Sequence, residues 1–355
     1  MFYHNLLLIF RNFKRHRSTF FINLVGLSAG MACVLLIYLW VSDEWGMDRF
    51  HANDAQLYQV MANHHDSEGI RTITPTPDLL AETLAAEMPE VAMATSYLPS
   101  EDIPMKFILS PDQNRKIKGV GQFADKDFFR VFSYPLLHGD AGQVLQDPNA
   151  LVLSEQMARS LFQSPENAIG KPISWQVANF TRQCMVTGVF KDLPVSTSDR
   201  FDFLLTIQSF RDPNLFHHQI HWDNHAPSTF LVLKKGTDVA AFNQKIAGFI
   251  KTKDANSKVD LFLQPYSDRY LHDQYEGGVI AGGRISYVRL FALIALFILF
   301  IACINFMNLS TARASLRMKE VGIKKAIGIS RSALAVQFMG ESLLLSFCSL
   351  LLATG

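Results

Sequence analysis

The chain contains 355 residues, of which 49% are hydrophobic and 18% are charged, and its formal net charge is +1. This average is more apolar than that of a soluble domain, and the balanced charge gives no reason to expect a nucleic-acid partner. Charged residues are absent from two long stretches, 18–42 and 290–312, so the sequence alternates between apolar and polar segments.

The first segment, residues 1–17, is predicted to be an amphipathic helix on the cytoplasmic membrane surface. Apolar side chains recur at three- and four-residue spacing through residues 2–13, and the basic run 14–17 follows. This pattern is typical of a helix that lies on anionic lipid headgroups. A solvated helix is the alternative, and it explains the aromatic side chains less well.

Residues 18–42 are predicted to form the first transmembrane helix, because 20 residues at about 1.5 Å each cross a hydrocarbon core about 30 Å thick. The alternative is a cleaved signal peptide, whose apolar region would be only about 7–15 residues long. The uncharged run here ends in Tyr38-Leu39-Trp40-Val41, which is typical of an interfacial aromatic belt. Gly26 and Gly30 form a Gly-x-x-x-Gly pair that predicts close packing against another helix.

Residues 43–285 are long enough for one large domain or two subdomains. Helix-like and strand-like patterns alternate along them, which predicts a mixed α+β domain. Asp78 and Ser154 are the predicted helix N-caps. The predicted strands are Leu57–Met61, Leu151–Leu153, Met185–Phe190 and Thr229–Leu233, and the predicted helices are Asp78–Met88, Ser154–Phe162 and Val239–Lys251.

The C-terminal part is predicted to contain a second transmembrane helix at 286–312, a cytoplasmic loop at 313–331 and a third transmembrane helix at 332–355. The third apolar run still continues at residue 355. We therefore expect the chain to be the N-terminal fragment of a longer protein.

Local charge predicts how these segments are oriented, because Lys and Arg near helix ends mark the cytoplasmic side. Four basic and no acidic residues precede Ser18, and six basic residues face one acid in the loop 313–331. Residues 42–286 hold 22 Lys or Arg against 30 Asp or Glu. We therefore expect a helical protein of the inner membrane with a cytoplasmic N-terminus and a large extracytoplasmic α+β domain inserted between its first and second transmembrane helices.

No catalytic or metal-binding motif is recognisable. The glycine-rich segment 277–284 lacks the lysine of a phosphate-binding loop, so a flexible hinge is expected there. Four histidines fall within His217–His225, but their spacing is not that of a zinc site, and no metal is predicted. His64-His65-Asp66 is interpreted as a loop. We expect the chain not to be an enzyme.

The loop 313–331 has features that a loop serving only to orient the chain in the membrane would not need. Its basic residues surround a single acid, and two glycines remove bulk where a partner could approach. A short helix that docks on another protein and a basic loop that faces lipid remain equally good interpretations. The candidate docking residues are Arg317, Glu320, Val321, Gly322, Ile323, Lys324, Lys325, Ala326 and Gly328.

Together these segments resemble the permease subunits of MacB/FtsX-type ABC transporters. Residues 301–310, the motif Glu320–Gly328 and the pairs Gln337-Phe338 and Glu341-Ser342 are similar in order and spacing to the FtsX-like permease domain. The outer segment is similar to the MacB-like periplasmic core domain. Its matching pieces are Leu57-Tyr58-Gln59-Val60, Met88-Pro89-Glu90-Val91, Asp127–Phe132, Leu136–Asp140, Ala168-Ile169-Gly170-Lys171 and Val186–Pro194.

The resemblance implies a permease that binds no nucleotide or other cofactor itself. A separate ABC ATPase subunit would bind ATP and contact the loop Glu320–Gly328, and ATP hydrolysis would move the periplasmic domain to export or extract a substrate. It also implies a second permease half or a homodimer, and a periplasmic partner, for which a cell-wall hydrolase is one candidate. A membrane-anchored sensor with a ligand-binding outer domain is the alternative function.

Overall fold

A computed structural model describes residues 17–103, 106–112, 114–216, 220–316 and 318–354. The interfacial helix predicted for residues 2–13 lies outside these residues. The chain divides into two compact units, the first made of Met1–Trp45 with Ile285–Gly355 and the second of Gly46–Arg284. We call the second unit the outer domain.

The helices in chain order are α1 (Arg17–Gly46), α2 (Leu80–Glu87), α3 (Phe128–Val131), α4 (Glu155–Phe162), α5 (Pro165–Ala168), α6 (Ile207–Phe210), α7 (Pro213–Phe216), α8 (Val239–Ala247), α9 (Phe249–Lys253), α10 (Arg284–Leu316), α11 (Met318–Ala326) and α12 (Arg331–Thr354). Short 3₁₀ turns occupy Asp54–Gln56, Ser100–Asp102 and Tyr266–Asp268.

The strands are β1 (Leu57–Asp66), β2 (Gly69–Ile73), β3 (Pro75–Pro77), β4 (Val91–Leu98), β5 (Phe107–Asp112), β6 (Arg115–Gly119), β7 (Gly121–Ala124), β8 (Leu136–His138), β9 (Ala150–Ser154), β10 (Pro172–Val177), β11 (Phe180–Phe190), β12 (Phe203–Thr206), β13 (His225–Leu233), β14 (Val259–Pro265), β15 (Gln274–Glu276) and β16 (Val279–Gly282).

Among the described residues, three helices are long and apolar enough to cross a membrane: α1, α10 and α12, which contain 30, 33 and 24 residues. Within the first unit, α1 packs against α10 at its glycine pair. A Cβ added at Gly30 would lie 2.8 Å from Cβ of Ala302, and one at Gly26 would lie 3.2 Å from Nδ2 of Asn305. Glycine therefore permits a backbone approach that larger residues would prevent.

The outer domain is built on a sheet of 14 strands, of which eleven follow the order β14-β1-β13-β4-β7-β12-β9-β11-β10-β5-β6. Its pairs are antiparallel except β7 with β12 and β9 with β11. Three clusters of buried apolar side chains flank it, one of them around Trp175 and another around a group of stacked aromatic rings. These features confirm the predicted α+β architecture of this domain.

All four predicted strands lie within longer strands of the sheet, and Ser154 caps α4 as predicted, since its Oγ accepts a hydrogen bond from the Met157 amide at 3.2 Å. The cap predicted at Asp78 is wrong. Leu79 occupies the N-cap position of α2 without a side-chain bond, and the buried Asp78 carboxylate pairs instead with Arg211 at 2.8 and 2.9 Å.

The interpretation of one loop is also wrong. His64-His65-Asp66 belongs to β1, where the three residues pair with β2. The glycine-rich segment 277–284 contains the turn of the β15–β16 hairpin, where Gly277 and Gly278 have φ values of +57° and +84°, and the strand β16 itself. Glycine adopts this left-handed conformation without strain, so these two residues form a defined turn, and the hinge stays a prediction.

Candidate functional site

The predicted docking segment contains a helix, α11, that ends in a defined glycine cap. Gly328 has φ +89°, its amide donates to the Lys325 carbonyl at 3.0 Å, and the Ile329 amide donates to the Lys324 carbonyl at 3.1 Å. These two bonds form a Schellman motif, which satisfies carbonyls at the end of a helix. Gly328 is therefore needed to end α11. This structural role is separate from the docking role predicted for the same residue.

Large apolar side chains on and next to α11 are exposed. The exposed fractions of Met318, Ile323 and Ile327 are 72%, 63% and 74%. A Cβ added at Gly322 would meet no atom within 4 Å. Exposed apolar groups on a short helix are typical of a surface that another molecule covers.

Lys324 is turned toward α12, whereas Lys325 and Ala326 are exposed. Nζ of Lys324 donates to Oε1 of Gln337 at 3.2 Å, and Nε2 of Gln337 is 3.4 Å from Oε1 of Glu341. Among the described candidate docking residues, Gly322, Ile323, Lys325, Ala326 and Gly328 are exposed, Val321 is half-buried, and Lys324 contacts the next helix. Arg317 and the side chain of Glu320 lie outside the part of the chain that is described.

A buried polar network lies where the outer domain begins, and sequence reasoning missed it. Asp48 follows the end of α1 by two residues, and its side chain is completely buried. Its carboxylate accepts hydrogen bonds from the amide of Ser198, at 2.8 Å, and from the Ser198 hydroxyl, and its own amide donates to the Ser196 carbonyl at 2.8 Å. We call Asp48, Ser198 and Arg269 the clamp.

Arg269 supplies the positive charge of the clamp. Its Nε lies 3.5 Å from Oδ2 of Asp48, and its terminal nitrogens donate to Ser198 Oγ at 2.9 Å and to the Tyr97 hydroxyl at 3.3 Å. Burial alone would lower the pKa of Arg269, but Tyr266, Tyr97, Asp48 and Asp199 raise it well above its ordinary value. The guanidinium therefore stays charged and joins the start of the domain to residues 266–269.

Beside the clamp, His51 is buried among the rings of Phe132, Tyr134 and Tyr266. Its Nδ1 accepts a hydrogen bond from the Ser133 amide at 3.2 Å. Burial lowers the pKa of His51 from 6.5 to about 4, with nearby Asp48 acting in the opposite direction and Arg269 in the same one. This imidazole is neutral near pH 7.

The structure brings together two histidine motifs that the sequence left separate. Nε2 of His64 on β1 lies 3.1 Å from Nδ1 of His225 on β13. Burial, followed by the neighbouring His64, lowers the pKa of His225 to about 4. Among the described residues no group of three or more metal-ligating side chains forms, and residues 217–219 of the histidine-rich segment lie outside them.

Comparisons with known proteins identify the family. Residues 20–249 match the family model of the MacB-like periplasmic core domain, and residues 292–355 match that of the FtsX-like permease C-terminal domain. These two matches cover most of the chain. The first includes most of α1 and most of the outer domain, and the second includes most of α10 and the helices that follow it. The chain belongs to the MacB/FtsX-type permease family, which confirms the resemblance seen in its sequence.

Solved structures similar to the outer domain include the periplasmic region of MacB from Actinobacillus actinomycetemcomitans, with 16% identity and a TM-score of 0.42 over 61% of this chain and 90% of that one. A domain described as part of a permease protein from Porphyromonas gingivalis has 20% identity and a TM-score of 0.49 over 61% and 93%. The extracellular domain of the noncanonic ABC-type transporter YknZ from Gram-positive bacteria has 11% identity and a TM-score of 0.41 over 58% and 99%.

Because these TM-scores are below 0.5, the family assignment rests on the two family matches. No curated protein matches the sequence.

Proposed function

We propose that this chain is the permease subunit of an ABC transporter whose separate ATPase subunit drives movement of the outer domain. In this proposal α1, α10 and α12 cross the inner membrane, the N-terminus and the segment 313–331 are cytoplasmic, and residues 43–285 are periplasmic. Family membership supports a permease, and the basic flanks of the apolar helices support the orientation. The FtsX-like match does not favour the alternative of a sensor.

The observation that carries the proposal is the exposed α11 between two helices of membrane-spanning length. Its glycine cap and its bond from Lys324 to Gln337 fix its conformation, while Ile323 and Ile327 are left uncovered. A preorganised apolar helix loses little entropy when a partner covers it. We assign the ABC ATPase subunit as that partner.

For ATP hydrolysis to move the outer domain, a displacement of α1 must also displace that domain. Asp48 is separated from the end of α1 by one residue, and the clamp connects it to Ser198 and Arg269. A movement of α1 would therefore be passed to the outer domain through charge-assisted bonds rather than through a flexible linker. The transported or extracted substrate, a second permease subunit and a periplasmic partner protein complete the proposed cycle.

Co-purification with the ATPase subunit tests the docking role of α11. Gly322→Trp places a large side chain where the exposed helix would meet its partner, and we expect ATPase recovery to fall by about tenfold or more, which is about 1.4 kcal/mol or more of binding free energy. Gly322→Ala is the matched control, because its methyl group meets open space. Equal recovery of the ATPase with native protein and Gly322→Trp would overturn the assignment.

Cysteine accessibility tests the orientation independently. A membrane-impermeant maleimide should label Val279→Cys in intact spheroplasts, because Val279 is exposed on the outer domain. The same reagent should label Ile327→Cys only in inverted vesicles. The reverse pattern would exclude the proposed topology.

A further inference from the structure

Three buried polar side chains lie on neighbouring strands of the outer domain. Gln264 on β14, Gln59 on β1 and Ser228 on β13 are 1%, 2% and 1% exposed. Gln59 pairs with Gln264 across β1 and β14, and with Phe230, two residues from Ser228, across β1 and β13. Paired residues and residues two apart point to the same face of a sheet. One face of the sheet therefore carries a buried polar patch.

Gln59 differs from the neighbouring glutamine in how its side chain is bonded. The amide of Gln264 donates to the His272 carbonyl at 2.8 Å and accepts a hydrogen bond from the Tyr275 hydroxyl. Within the described ranges, no hydrogen bond joins the side-chain amide of Gln59 to another residue. Burying an amide without a partner is unfavourable, so this side chain is available to bind a ligand.

A cavity of about 330 Å³ lies against these side chains. Gln59, Gln264 and Ser228 form part of its lining, together with the rings of Tyr270 and Tyr275. A water molecule takes up about 30 Å³ of the liquid, so the cavity has room for roughly ten non-hydrogen atoms. Sites of this size bind small molecules. The amide of Gln59 therefore borders a space that a ligand could fill.

Carboxylates outnumber cations around the cavity. The charged residues of its lining are Asp102, Asp199, Asp273, Arg269 and Arg284. Arg269 is already paired with Asp48 in the clamp, where its Nε lies 3.5 Å from Oδ2 of that carboxylate. The cavity therefore has an excess of negative charge, which favours a ligand with positive charge.

Two of these carboxylates would be stabilised by an added cation. Partial burial, followed by the neighbouring Asp199 carboxylate, raises the pKa of Asp102. Burial also raises the pKa of Asp199, although Arg269 and a hydrogen bond from Gln122, whose Nε2 lies 2.5 Å from Oδ1, act in the opposite direction. A positive charge placed beside both groups would favour their ionised forms.

We propose that this cavity binds a small molecule that carries a primary ammonium group. An ammonium group donates three hydrogen bonds and accepts none, and Asp102, Gln59 and Ser228 supply carboxylate, amide and hydroxyl oxygens as acceptors. An organic cation fits better than a metal ion, because no three metal-ligating side chains come together in the part of the chain that is described. The site goes beyond the proposed function. Since Ser198 and Arg269 also line the cavity, a bound ligand would contact the clamp.

Calorimetric titration of the full chain in nanodiscs, without the ATPase, tests the site. The probe is 5-aminopentan-1-ol, which is small enough for the cavity, and 1,5-pentanediol is its neutral counterpart. We expect the amine to bind saturably and about tenfold or more tightly than the diol. Absence of saturable amine binding, or equal affinity for the two compounds, would overturn the proposal. So would tighter binding of a capped lysine, which would assign the cavity to a lysine side chain of a partner protein.

Two substitutions locate the binding within the cavity. Gln59→Met removes the amide at similar volume without breaking a hydrogen bond, and Asp102→Asn removes one charge from an exposed side chain. Each should weaken amine binding about tenfold, and Asp102→Asn decides the outcome if Gln59→Met does not fold.

Gln208→Met is the matched control, because Gln208 is exposed and lines a different hollow of the domain. Its affinity for the amine should equal that of the native chain. Native affinity in the folded site variants, or an equal loss in the control, would show that the amine binds elsewhere. Since no ATPase is present, the result is independent of whether α11 binds that subunit.

Discussion

The clamp and the α11 segment differ in how much of their surface is covered by other residues of the chain. Asp48 is buried, the side chain of Arg269 is 18% exposed, and each has partners within the outer domain. Ile323 on α11 and Ile327 directly after it are exposed, and the polar contact of this helix to Gln337 involves a single side chain. The contacts of the clamp lie within the outer domain, whereas α11 leaves apolar side chains exposed. A change in the clamp should therefore affect folding, and a change on α11 should affect association.

The largest expected effect comes from Arg269→Met. Removing one partner of a buried pair leaves the Asp48 carboxylate without its counter-charge, which costs about 3–5 kcal/mol of folding free energy. Thermal unfolding followed by the fluorescence of the tryptophans, among them the fully buried Trp175, measures it. Arg49→Ala is the control, because its ion pair with Asp268 is 3.8 Å long and partly exposed and is worth under about 1 kcal/mol. Equal destabilisation by both changes would contradict the clamp.

Acid should weaken the outer domain before it affects α11. The folded-state pKa values of His51 and His225 are both lowered from 6.5 to about 4, so the unfolded chain binds protons first as the pH falls. Stability is then independent of these groups above pH 6.5 and declines between pH 6.5 and about 4. His225→Asn should flatten the decline in the unfolding midpoint, and the exposed His221→Asn should not. An unchanged profile in His225→Asn would refute this assignment.

A smaller effect distinguishes the two glycines of the α11 segment. Gly328→Ala forces a side chain into a conformation with φ +89° and should destabilise the helix end by about 1 kcal/mol. Hydrogen exchange at the amides of Gly328 and Ile329 should accelerate by about fivefold. Gly322→Ala, in mid-helix, should slow local exchange instead. The same response from both glycines would mean that the Schellman cap does not form.

The smallest expected effect is that of Lys324→Met, which removes the 3.2 Å bond to Gln337. A single partly exposed hydrogen bond contributes about 0.5–1 kcal/mol. ATPase recovery should remain within about twofold of the native value. A loss as large as that expected for Gly322→Trp would mean that the lysine, rather than the exposed apolar surface, contacts the partner.

Local and regular features were predictable from the sequence. The apolar helices, the Ser154 cap and the four strands follow from periodicity, composition and capping chemistry. The family resemblance also identified α11 as a region of interest. The sequence could not show that Gly328 caps the helix while Gly322 lies within it. The spacing of the two glycines does not reveal which of them has a positive φ.

The clamp could not be predicted, because its members are separated by about 70–220 positions in the chain. A single acidic residue after an apolar helix is ordinary at the membrane surface, and nothing local indicated that Asp48 is buried. The same applies to Asp78, for which the local pattern favoured a helix cap, while tertiary structure supplied Arg211. His64 and His225 meet only because β1 and β13 are neighbours in the sheet.

The position of β1 has a consequence for how the domain is made. Its Leu57 pairs with Val232, and its Tyr58 pairs with Pro265. The first strand in the sequence can therefore pair with β13 and β14 only after those late strands have been synthesised. In a translocated chain, the sheet cannot close until nearly the whole domain has emerged, and contacts of such high sequence separation form slowly. During that interval the edges of β1 that later pair with β13 and β14 would remain unpaired and open to association with other chains.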